Sequence, residues 1–371
     1  MHGASGARGQ DEMKTRANAG SAAEPNSLRA SRRQVLATTA AALAAPFVAR
    51  SAKAARPLVW VSWGGHTQDV QEQVFIKPFM KETGIEVITT SGPDAAKIKA
   101  MVMAGSVEWD VVNLAGTFAL SLADQGLLEP LDYSVIDASD MVRPDWKYRQ
   151  SIGWYYYSGG FGFDPQRHPE GQHPRTWPEF WDVAKYPGRR GFIPQPDEVF
   201  EAALLGDGVT PQSLYPLDVD RAFAALDRLK TQIAQWATVA KTIDVIHSDE
   251  VDYQYTYSGR VEIASQQGMP IAFAYESCIN APSFQGIVKG APNRDAGNRL
   301  IAYFMRVDRQ RAWAEAIGYG PVKRAAYDGL SQATLRKLPN LDSKTTAWVS
   351  VDWWAKNRAK VDARFKEWLL T

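Results

Sequence analysis

An α/β architecture in two lobes is the expectation for this chain of 371 residues. Strand-like and helical stretches alternate with short connections, and the length is that of two domains rather than one. Beyond the first 54 residues no stretch approaches the roughly 18 apolar residues of a membrane span. Composition narrows the class further. With 42 Lys+Arg against 41 Asp+Glu there is no basic footprint for a nucleic acid, and 45% hydrophobic with 11% aromatic residues is too apolar for a disordered chain.

The N-terminus carries an export signal. Ser31-Arg32-Arg33-Gln34-Val35-Leu36 precedes a small, apolar, uncharged run from Ala37 to Val48, the pattern of a twin-arginine leader. The run is too short to cross a bilayer, and Ala52-Lys53-Ala54 gives the small–x–small pattern of a cleavage site. Residues 1–54 are therefore expected to be removed near Ala54 after passage through the twin-arginine translocase; Met1 and Met13 both remain as starts. That segment holds 8 basic and 3 acidic residues, leaving 34 basic and 38 acidic, a net −4. Cys278, the single cysteine, excludes an intrachain disulfide and is not placed for a lipid anchor. A soluble periplasmic monomer with no cofactor motif is expected.

Leu58 to Trp63 reads as the first strand, closed by Gly64-Gly65, with a helix from Asp69 to Thr83 after it. Gly84 to Thr90 reads as a second strand, Ala95 to Gly105 as a helix and Trp109 to Leu114 as a third strand. Strand, helix, strand with short links means a parallel sheet. Its crevice lies beyond the carboxyl ends of the strands, which puts Trp63-Gly64-Gly65, Ser91-Gly92 and Ala115-Gly116-Thr117 on one rim. In the second half Tyr155 to Phe163 is extended and aromatic, Trp177 to Lys185 helical, Gly191 to Pro194 a strand, and Glu198 to Leu205 a helix after a Pro-Asp start. Two crossings between lobes are placed near Trp154–Gly159 and Ala272–Glu276, where Pro270 to Glu276 makes an apolar strand. The terminal stretch from Asp352 to Trp368 reads as an amphipathic helix docking its aromatics on a lobe.

Several segments then resemble one family. Gly126-Leu127-Leu128-Glu129-Pro130-Leu131-Asp132, Gly160-Phe161-Gly162-Phe163-Asp164 and Thr176-Trp177-Pro178-Glu179-Phe180-Trp181-Asp182 are similar to segments of family 1 extracellular solute-binding proteins of ABC importers, of the spermidine/putrescine type. Tyr257-Ser258-Gly259-Arg260, Gly290-Ala291-Pro292-Asn293 and Gly318-Tyr319-Gly320-Pro321 follow in the same order. The resemblance implies a two-lobed periplasmic binding protein fold (type II) with two hinge-crossing strands. It places lobe 1 at 55–155 plus 275–321 and lobe 2 at 156–274 plus 322–371. It implies no enzyme: a small-molecule ligand is captured by hinge closure and passed to a membrane ABC permease.

The candidate ligand-binding residues are Trp63, Gly64, Gly65, Thr117, Tyr155, Tyr156, Tyr157, Glu198, Tyr255, Tyr257, Arg260 and Glu276. Aromatic rings would flank an aliphatic amine, carboxylates would hold its ammonium, and Arg260 could offer a fork to a carboxylate or phosphonate. Gln195, Ala281 and Ser283 stand where the family usually has Asp, Trp and Asp, which argues against a simple polyamine and for a zwitterionic amino acid or aminophosphonate derivative. Each residue also has a plainer reading. Tyr155–Tyr157 are the two faces of one strand, Glu198 a first-turn helix carboxylate, Arg260 half of a surface ion pair, and Glu276 a hinge residue. A ferric-ion or sugar-binding relative, or a glycan-active hydrolase using Glu198 with Glu250 or Glu276, is the alternative.

Overall fold

The computed structural model describes residues 56–339, 341 and 343–371; the leader proposed for 1–54 lies outside them. Twelve strands form one continuous sheet. They are β1 (Leu58–Ser62), β2 (Val87–Ser91), β3 (Val111–Ala115), β4 (Leu128–Glu129), β5 (Ser151–Phe163), β6 (Arg190–Phe192), β7 (Ile233–Trp236), β8 (Tyr253–Tyr257), β9 (Ala272–Phe273), β10 (Ile279–Val288), β11 (Gly320–Pro321) and β12 (Ala347–Trp348). The main path runs β2-β1-β3-β10-β5-β8-β6-β7. At one end β2, β1 and β3 are parallel; at the other, β8, β6 and β7 are parallel; between them β10 and β5 run antiparallel to each other. Two three-stranded parallel blocks are thus bridged by one long antiparallel pair. This is a two-lobed α/β fold with two crossing strands.

Each block has its own hydrophobic core. The first is built around Trp60, Phe75, Trp154, Phe304 and Trp313, with Phe75 stacked on Phe304 at 4.3 Å between ring centroids. The second gathers Phe161, Trp177, Phe180, Phe192, Phe200 and Trp354. Val322 packs in the first core, while the 19-residue helix Val351–Leu369 buries Trp354, Val361 and Phe365 in the second. Among the described residues no helix is long and apolar enough to cross a membrane.

The first three strands match the sequence expectation within three residues at either end. Residues 65–83 are helical, with a π-helical turn at Glu72–Ile76 inside them. One assignment is corrected. Only Ala272–Phe273 of the stretch Pro270–Glu276 pairs as strand, on β5, and the second crossing is made by Ile279–Val288. Pro282 inside that segment argues against a strand on sequence grounds. It sits next to the register shift at Ser283/Phe284, where the ladder is interrupted. The helix expected at Trp177–Lys185 also stops early, at Trp181.

Candidate functional site

The carboxyl ends of β1 and β3 form the rim contributed by the first half. Trp63 is 48% exposed there, and Gly64 and Gly65 both hold positive φ, +78° and +62°, which lets the chain turn directly into the next helix. The Gly64 N–H donates to Gln68 Oε1 at 2.9 Å. Thr117 is buried in the first turn of the Gly116–Asp124 helix. Beneath the rim, Asn113 Nδ2 donates to Ser62 Oγ at 3.0 Å, and Trp154 Nε1 and Ser283 Oγ donate to Asn113 Oδ1 at 3.1 and 2.6 Å. Ser283 is thus part of the sheet's internal wiring.

The second half contributes a buried carboxyl. Glu198 precedes the Val199–Gly206 helix at φ +68°, and of the three non-glycine residues with positive φ among those described it alone is buried. Holding such a backbone costs about 1–3 kcal/mol and is typical of sites where a side chain must be aimed. Tyr255 Oη donates to Glu198 Oε2 at 2.6 Å. A Cβ on Gly159 of β5 would lie 3.1 Å from the same oxygen and 1.9 Å from the Tyr255 hydroxyl, so the glycine gives the carboxyl its room. Tyr157 and Tyr257 meet edge to face at 5.2 Å, and Tyr257 adjoins Tyr255 at 6.1 Å. Burial, and then the neighbouring Asp197 charge, push the Glu198 carboxyl up to about 8. Burial drives the phenols of Tyr157, Tyr255 and Tyr257 well above their ordinary value, so they stay neutral.

Strand alternation sorts the tyrosine run. Tyr155 and Tyr157 share a face, Tyr157 feeling the Glu198 charge, while Tyr155 stacks on Tyr319 at 5.6 Å and 12°. Tyr156 points the other way, packing on Trp146 and Trp348 with its hydroxyl against that of Tyr327. Arg260 donates from Nη2 to Ala240 O at 3.1 Å, its Nε is buried without a partner, and its charge reaches the Tyr319 phenol. Glu276 does not join this group: it is exposed and ion-paired with Arg175 at 2.5 Å. Trp63, Gly64, Gly65 and Thr117 stay on the first half's rim.

Tyr319 is the residue that sequence reasoning left out of the site. Burial raises its phenol above the ordinary range, and both Glu198 and Arg260 act on it electrostatically. Its segment, Gly318 to Pro321, was legible only as a motif. A separate cavity of about 560 Å³, between Trp146, Tyr148, Tyr215, Trp348 and Asp352, contains none of the candidate residues. Glu198, four phenol rings and, through Tyr319, the Arg260 guanidinium give this region groups that can fix a ligand's orientation.

Comparison with known proteins agrees with the two-lobed fold. The family model for bacterial extracellular solute-binding proteins matches residues 75–341. The gamma-aminobutyric acid-binding protein of Pseudomonas aeruginosa is 30% identical over 330 residues, 87% of this chain and 93% of that one. The spermidine/putrescine-binding periplasmic protein of Escherichia coli is 24% identical over 266 residues, 69% of this chain and 76% of the other. Among solved structures, the Atu4243 GABA receptor is 36% identical with a TM-score of 0.76, covering 84% of this chain and 97% of its own. The chain belongs to the bacterial extracellular solute-binding protein family.

Proposed function

We propose that this protein is the periplasmic receptor of an ABC importer for a small zwitterion with a primary amine at one end, of the 4-aminobutyrate class. One observation carries the reading: Glu198 is a buried carboxyl aimed among Tyr157, Tyr255, Tyr257 and Tyr319, with no ion-pair partner among the described residues. An ammonium would supply the missing cation and lie against aromatic faces. Arg260, with an unpartnered buried Nε and its charge directed at Tyr319, would take the carboxylate end. The relatives named for 4-aminobutyrate support this pairing over a diamine. Trp63, Gly64, Gly65, Thr117 and Tyr155 would close the other side of the ligand; Tyr156 and Glu276 would not touch it.

Capture would draw the two lobes together on an unchanged ligand. The proposed bodies are 55–155 with 275–321 and 156–274 with 322–371; the packing of Val322 in the first core supports carrying that boundary slightly later. Export through the twin-arginine translocase, cleavage near Ala54 and a monomeric state complete the proposal.

Isothermal titration of the purified protein with 4-aminobutyrate, putrescine, spermidine and glucose tests it. Saturable binding of 4-aminobutyrate, at least about tenfold tighter than putrescine and weakened at least about tenfold in Glu198→Gln, is expected. Tighter binding of putrescine or of glucose overturns the zwitterion reading.

A further inference from the structure

Glu198 occupies a position where a carboxylate would need a cation, and among the described residues no cation is ion-paired with it. Each element packed around it brings a neutral or acidic group. β8 brings the phenols of Tyr255 and Tyr257, β5 that of Tyr157, and the segment before β11 that of Tyr319. The preceding residue is Asp197, and one turn along the helix is Glu201, itself fully buried. Two arginines lie in this region and neither is paired with Glu198: Arg358 is ion-paired with Asp197 and lies 3.6 Å from Asp362, and Arg260 donates to Ala240 O, with its charge acting on the Tyr319 phenol. Glu201 is held by Trp354 Nε1 at 2.7 Å and by the Tyr215 hydroxyl.

An isolated carboxylate buried in such a place costs several kcal/mol, and the usual escape is to bind a proton. We infer that the empty receptor keeps Glu198 as a neutral acid and that an arriving ammonium displaces its proton, so that amine capture is a one-for-one exchange of one cation for another. The inference rests on Glu198 being the amine subsite. The balance is simple: the carboxyl O–H bond breaks, the proton passes to solvent buffer, and the carboxylate left behind pairs with the ammonium. The nitrogen keeps all its protons, since an ordinary alkylammonium does not titrate below about pH 9.

Two consequences separate this from binding to a carboxylate that is already charged. Near pH 7 close to one proton is released per ligand bound, and affinity rises close to tenfold for each pH unit from 5.5 to 7, flattening above about 8. The position to which burial pushes the acid, about 8, sets where the curve bends. The carboxylate of a 4-aminobutyrate probe does not change charge in this interval.

Isothermal titration of the purified protein with 4-aminobutyrate at pH 7.0, in phosphate and in Tris, reads the exchange directly. The two buffers differ in their ionisation heats, so the difference in observed heats counts protons. Release of 0.7–1 proton, as about 0.9 would follow from an acid near 8, is expected. Binding with no release overturns the inference while leaving the receptor reading intact. No binding of either 4-aminobutyrate or putrescine at any pH from 6 to 9 overturns both. Glu198→Gln should lose at least about tenfold in affinity and release no proton. Release that persists in this variant, or that disappears in Glu201→Gln, assigns the proton to another group and overturns the inference.

Discussion

Gly259 faces the ring of Tyr319 so closely that a Cβ on it would lie 2.4 Å from Cε1. The glycine opens the Ser258–Gln266 helix, which follows β8 in the second half; the tyrosine stacks on Tyr155, in the first core. The same helix reaches Lys337 through Glu262. This approach of helix backbone to aromatic face is a contact between the two halves, made on a ring that feels the Glu198 charge. An alanine methyl cannot be placed there without displacing the Tyr319 ring, which is buried. Gly259→Ala should therefore weaken ligand binding by about 1–3 kcal/mol, roughly 5- to 150-fold, the usual cost of overpacking. The unliganded chain should lose less in thermal stability than the complex, which differential scanning fluorimetry with and without 4-aminobutyrate measures. Equal losses in both would mean the contact is ordinary core packing.

The buried acids set a pH profile for the empty protein. Folding raises Glu198 from an ordinary 4.5 to about 8 and Glu201 to about 7, in both cases chiefly by desolvation. An acid whose pKa is raised binds its proton more tightly when folded. Its contribution is fully present below 4.5 and is lost as pH climbs toward the folded value. Thermal stability of the unliganded protein should thus fall between pH 5 and 8, by up to about 1.4 kcal/mol per pH unit and group. Glu198→Gln should flatten the upper part of that curve and be more stable than the parent at pH 8. A parent curve that rises over this interval would contradict the assignment.

Arg260 offers a cleaner test of which end of the ligand it holds. Arg260→Ala should lower affinity for 4-aminobutyrate at least about tenfold and leave affinity for putrescine, which has no carboxylate, within about twofold. Equal losses for the two would remove the guanidinium from the carboxylate subsite. Isothermal titration of both ligands distinguishes these outcomes.

Trp354 ties the terminal helix to the second core. It is fully buried near Phe200, and its indole N–H holds Glu201. Trp354→Ala should cost about 3–5 kcal/mol in urea denaturation through the cavity it leaves. A loss below about 1 kcal/mol would show that the helix docks without this anchor.

How much of this was legible in the sequence depends on the range of the interaction. β1, β2 and β3 were visible because short apolar runs end in glycine, and the Ala95–Ala104 helix because Asp94 caps it and Gly105 ends it in a left-handed turn. β10 was hidden: buried on both faces, it shows no alternation, and Pro282 speaks against it. Alternation alone says that Tyr156 opposes Tyr155 and Tyr157, but which face meets Glu198 is decided by pairing with β8 and β10. Likewise Glu276 looked available because its partner, Arg175, lies 101 residues away. Tyr319 was missed for the same reason, being brought to Glu198 from more than a hundred residues downstream by the packing of the two halves.

The central antiparallel pair also fixes an order of events when the chain folds. β3 can complete its pairing only with β10, where Ala115 meets Ser283, and β5 meets the same strand from Ser151 to Gly159. Neither neighbour exists until residues 279–288 have been made. Until then one edge of β3 and one edge of β5 stand open, and both are templates for pairing with another chain. Closing loops of this length is slow, as expected when contacts join distant parts of a sequence. A truncation that stops short of Ile279 should leave neither half finished, and a chaperone that shields strand edges would find its work concentrated in that interval.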